Sequence, residues 1–62
     1  REEMKLTERE SEILALLSQG HSNKEIADKM SVTVSTVRTH LSHVYEKLHV
    51  RSRTEAIIKY LK

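Results

Sequence analysis

Residues 34–48 read VSTVRTHLSHVYEKL. At about 100° per residue, Val37, Leu41, Val44 and Leu48 fall on one narrow stripe, the pattern of a helix with a single buried side. The opposite side carries Ser35, Arg38, Thr39, Ser42 and His43. A face meant only for solvent usually carries long Glu/Lys pairs. Here short hydrogen-bonding groups surround one guanidinium, a chemistry that suits the edges of base pairs in a major groove. The stretch reads as a recognition helix, and the other helices as its support.

Sixty-two residues make one domain. A chain this short buries only about 60% of the surface its unfolded form exposes, so the core is small. There is no cysteine, hence no disulfide and no thiolate metal site. Glycine occurs once and proline never, and β-branched residues do not alternate over any useful length. These features predict an all-α fold. The net charge of +2 is weak, but it is unevenly placed. Residues 1–31 carry five basic and seven acidic groups, a balance of −2; residues 32–62 carry six basic and two acidic groups, a balance of +4. The basic half holds the recognition helix, which points to a polyanionic partner. No apolar run approaches the ~20 residues that cross a membrane, and there is no signal-peptide pattern.

Three capping boxes punctuate the chain. Residues 1–5 (REEMK) read as the remnant of a linker, with residues 6–62 forming the domain. Thr7-Glu8-Arg9-Glu10 starts a first helix whose buried side is Ile13, Leu14, Leu16 and Leu17, and Gly20 stops it in a left-handed conformation. Ser22-Asn23-Lys24-Glu25 starts a second helix, Asn23 to Met30, with Ile26, Ala27 and Met30 inward. Ser31-Val32-Thr33 makes a tight turn with Val32 in the corner, and Thr33 caps the third helix. Two helices joined by three residues describe a helix-turn-helix. Ser52-Arg53-Thr54-Glu55 is the third box and opens the fourth helix. Its apolar residues cover roughly half its circumference, more than a small core needs. Thr54, Ile58 and Leu61 are therefore expected to contact another chain. The chain opens with Arg1 rather than methionine, which predicts a domain cut from a longer protein with an input module of its own.

Arg38 is the expected base reader, with Thr39, Ser42 and His43 beside it. Ser35 and Thr36 lie in the first turn of the third helix, and Lys24 in that of the second, where free amides attract phosphate. Lys47, Arg51 and Arg53 are expected to reach a phosphate backbone near the other end. Glu46 runs against the pattern, since a carboxylate on this face repels DNA. His40 borders the apolar stripe and is expected to be packed and hydrogen-bonded. With His43 it has i, i+3 spacing, but no further ligand completes a tetrahedral site, so no metal and no cofactor is expected. There is no glycine-rich phosphate loop and no cysteine nucleophile, so no catalytic residue is assigned.

LTERE, then Gly20, then SNKEIA, STVRTHL and KL-x-V-x-SR-x-EA resemble, in order and spacing, the LuxR-type (NarL/FixJ-type) helix-turn-helix. The resemblance covers about Leu6 to Leu61. It implies a four-helix domain at the C-terminus of a bacterial transcription regulator, linked to a receiver or ligand-sensing domain. The second and third helices form the helix-turn-helix, and the fourth commonly pairs two copies. By motif it places Arg38 and Thr39 at base-reading positions, Ser42 one turn on, and Asn23 and Lys24 near the phosphates. Family members often carry Lys at Arg38 and a basic residue near Ser42. A guanidinium is a fork and an ammonium a point, so the preferred DNA sequence does not transfer. The implied partners are double-stranded DNA, a second copy and RNA polymerase, in the cytoplasm. The alternative classes are a module like sigma-factor region 4 that docks on RNA polymerase, and a purely structural dimerisation domain.

Overall fold

The computed structural model describes residues 5–61 and has four helices in chain order: α1 Glu8–Ser18, α2 Asn23–Met30, α3 Val34–Leu48 and α4 Arg53–Leu61. The described residues contain no strand. Residues 1–4 of the expected linker lie outside them.

The helix starts follow the capping chemistry. Thr7 Oγ1 accepts from the Glu10 amide at 3.1 Å, and Glu10 Oε1 accepts from the Thr7 amide at 2.9 Å. Ser22 and Glu25 form the same reciprocal pair at 3.1 and 2.9 Å. Thr33 caps α3 by accepting from the Thr36 amide at 3.1 Å. Each cap satisfies an amide that the helix leaves unpaired, typically contributing about 1 kcal/mol. The third box departs from the expected form. Ser52 Oγ accepts from the Glu55 amide at 3.2 Å, but the Glu55 carboxylate takes the Arg51 amide at 2.8 Å instead of that of Ser52. The chain enters α4 so that the Arg51 N–H meets the carboxylate.

The helix ends share one solution. After α1, Gly20 has φ +94°, the Gly20 amide reaches Leu17 O and the His21 amide reaches Leu16 O, closing a Schellman motif. After α2 and α3, Ser31 and His49 take the left-handed conformation, each with φ 58°. The following valines close the turns: the Val32 amide to Ala27 O and the Val50 amide to Tyr45 O, both at 3.0 Å. Val32 and Val50 also pack against the core, so an apolar anchor holds each strained residue in place.

Ile13, Leu14, Leu17, Ile26, Ala27, Val37, Leu41, Val44 and Ala56 form the buried core. The stripe of α3 thus lies inside, except that Leu48 is half-buried, as are Leu16 and Met30. α3 packs on all three other helices, whereas α2 and α4 share no packed interface. With its inner side held on three sides, α3 presents its other side outward in one fixed orientation.

Candidate nucleic-acid interface

Arg38, Thr39, Ser42 and His43 are all exposed on the side of α3 opposite Val37 and Val44. The Thr39 hydroxyl donates to Ser35 O at 3.1 Å, which fixes its rotamer and leaves its methyl and lone pairs for a partner. Ser35 is exposed in the first turn. Thr36 is half-buried, and its hydroxyl oxygen accepts from the Thr33 hydroxyl at 3.0 Å. On α2, Lys24 is exposed and Asn23 half-buried. Arg38 and Ser42 share a groove with Asn23, Leu41, Tyr45 and Arg53. The start of α2, the middle of α3 and the start of α4 therefore converge. Glu46 is also exposed.

Two of the expected phosphate-binding cations also bond within the fold. Lys47 Nζ lies 2.7 Å from Glu10 Oε1 and donates also to Lys5 O at 3.4 Å. Arg53 donates from Nη1 to Asn23 Oδ1 and from Nη2 to His21 O, both at 2.9 Å. For Lys47 the physical reason is burial. Glu10 is only 4% exposed, and a carboxylate there requires a cation. Lys24, Arg38 and Arg51 are exposed and have no side-chain partner among the described residues. His40 is half-buried but has no side-chain hydrogen bond there, contrary to expectation.

The sequence pattern places Glu10 in the cap of α1 alone. In the structure the same carboxylate joins α1 to α3 through Lys47, and its Oε2 lies 4.0 Å from His43 Nδ1 on the outer face. Burial pushes the Glu10 carboxyl up, but the Lys47 ammonium and the Thr7 N–H outweigh it and hold it below its ordinary value. Glu25 is likewise held low by the Ser22 N–H. A further link, Lys59 Nζ to Leu48 O at 2.8 Å, satisfies a carbonyl at the end of α3. Neither link has a signature in helical periodicity, because the partners are far apart in sequence.

On α4, Thr54, Ile58 and Leu61 are exposed, with Ile58 at 53% and Leu61 at 68%. Tyr60 is exposed next to them, a residue outside the expected set. Among the described residues no group of three or more His, Cys, Asp or Glu is placed to hold a metal, and no helix is long and apolar enough to cross a membrane.

Two helices joined by a three-residue turn, the second with a short polar face outward, define a helix-turn-helix domain. Residues 4–60 match the family described as bacterial regulatory proteins, luxR family, and the chain belongs to that family. It is therefore a DNA-binding domain of transcription regulation. It is 53% identical over 53 residues to response regulator protein VraR of Staphylococcus aureus (strain NCTC 8325 / PS 47), and equally to VraR of Staphylococcus epidermidis. Each match covers 86% of this chain and 25% of the relative. The crystal structure of response regulator ChrA, from a heme-sensing two-component system, superposes with a TM-score of 0.86 at 46% identity. That match covers 94% of this chain and 29% of ChrA. The chain spans about a quarter of the length of the curated relatives it matches.

Proposed function

We propose that this chain is the DNA-binding output domain of a cytoplasmic response regulator, joined to an N-terminal receiver domain and acting as a homodimer through α4. The observation that carries the reading is the outer face of α3, where Arg38 stands among short polar groups and projects from a helix held on its other sides by three neighbours. The similarity to response regulators of which the match covers only 25% supports a receiver domain. The exposed Thr54, Ile58 and Leu61 support pairing through α4.

The mechanism follows from the placement of charge and donors. Electrostatic attraction brings the duplex to the basic half of the chain. Asn23, Lys24, Ser35, Thr36 and Arg51 hold phosphates, with the first-turn amides of α2 and α3 contributing their dipoles. Arg38 donates bidentately to a guanine, and Thr39, Ser42 and His43 read adjacent base edges. Lys24 and Arg51 neutralise two phosphates per domain, so log K should fall with log salt at a slope of about −2 for one bound copy, at roughly −0.9 per neutralised phosphate. A salt titration of duplex binding measures this. A flat salt response would overturn the reading and favour docking on a protein.

A further inference from the structure

The contact between α4 and the start of α2 defines a role for Arg53. α2 and α4 have no packed interface, yet the Arg53 guanidinium spans the gap. It donates through Nη1 to Asn23 Oδ1 and through Nη2 to His21 O, each at 2.9 Å. A guanidinium has donors only, so the Asn23 atom that faces it must be the amide oxygen. The Asn23 amide nitrogen is thereby turned away from Arg53, with both its protons available. Asn23 and Arg53 are both half-buried, which restricts alternative rotamers. The groove beside them continues directly to Arg38 and Ser42.

We infer that Arg53 is a positioning residue for DNA binding: it holds the Asn23 side chain so that its NH2 group, rather than its oxygen, meets the phosphate backbone beside the reading face. The inference rests on the reading of the α2 start as a backbone contact. It goes further in making α4 the element that orients a DNA-binding donor on α2. Without Arg53 the Asn23 amide rotates freely, and half of its orientations present an oxygen to a phosphate. A lysine at position 53 keeps the charge but cannot span both acceptors, because an ammonium is a point and not a fork.

The test is a double-mutant cycle on duplex affinity, with Asn23→Ala, Arg53→Gln and the pair, each with its salt slope and its unfolding midpoint. Arg53→Lys and Lys24→Ala are measured alongside. Each single change in the cycle is expected to weaken all duplexes roughly three- to tenfold, the worth of one hydrogen bond. The double variant is expected to be no weaker than the worse single one. Asn23→Ala should leave the salt slope unchanged, because a neutral amide releases no counterion. Arg53→Lys should behave like Arg53→Gln. Additive losses, or full affinity in Arg53→Lys, would overturn the inference in favour of a direct Arg53–phosphate contact. A lowered midpoint with unchanged duplex affinity would also overturn it, since that is what a purely structural role produces. If Lys24→Ala also leaves affinity and slope unchanged, the reading of the α2 start fails. If Lys24→Ala weakens binding while the cycle is additive, only the role of Arg53 fails.

Discussion

The two halves of α3 carry similar residues and treat them differently. In the first half, Ser35, Arg38 and Thr39 face outward, and Arg38 has no side-chain partner among the described residues. In the second half, Lys47 turns back onto Glu10, and Lys59 of α4 reaches over to the Leu48 carbonyl. The start of α4 repeats the lesson, with Arg51 exposed and Arg53 bonded to Asn23 and His21. A positive charge in this sequence is therefore not by itself a sign of a phosphate contact. Whether it is free depends on a buried or half-buried acceptor supplied by another helix.

The largest effect that sharpens this contrast is on stability. Lys47→Ala leaves the Glu10 carboxylate, 4% exposed, without its cation. It should cost on the order of 3 kcal/mol of unfolding free energy, read from chemical denaturation. A loss under about 0.5 kcal/mol would place Lys47 with the free cations. Arg38→Ala should do the reverse: stability holds within about 0.5 kcal/mol, while binding to the best site weakens by about 1–3 kcal/mol. Competition titrations with matched and mismatched duplexes measure it.

The acid limb of stability tests the same carboxylate. The folded Glu10 carboxyl lies below its ordinary value of 4.5. A lowered folded value means that this contribution is complete above the unfolded value and is lost as pH falls through the folded one. Stability should therefore drop as pH falls below about 4.5. In Glu10→Gln that part of the pH dependence should flatten, with lower stability at neutral pH. An unchanged acid limb would mean that Lys47 does not hold Glu10 in solution.

The smallest effect separates the helix ends. Gly20 has φ +94° and open space around an added Cβ, so Gly20→Ala should cost about 1 kcal/mol from backbone conformation alone. Ser31→Gly at φ 58° should shift stability by less than about 1 kcal/mol, in the stabilising direction. Thermal unfolding compares the two.

Much of this arrangement is legible in the sequence because it is local. Capping needs residues three apart, and the stripe of α3 needs residues three or four apart; both are visible in VSTVRTHLSHVYEKL and its flanks. The closures at Ser31 and His49 are less legible, since only glycine announces a left-handed residue, and here half-buried valines do the anchoring. The Glu10–Lys47 and Arg53–Asn23 links span 37 and 30 residues, beyond any periodicity. The third capping box departs in part for a related reason, because a one-residue change in the path of the chain makes the Arg51 amide, and not that of Ser52, the donor to the Glu55 carboxylate.

On the proposed function, the first half of α3 reads sequence while Lys47 of the second half holds the fold. The most direct measurement is selection from a random duplex pool at near-physiological salt, with the wild type and Arg38→Ala side by side. The account predicts a pair of short enriched half-sites for the wild type, and loss of preference at one or more positions of each half-site in Arg38→Ala, with salt-sensitive retention of the pool preserved. The same enriched sequence from both proteins would contradict it.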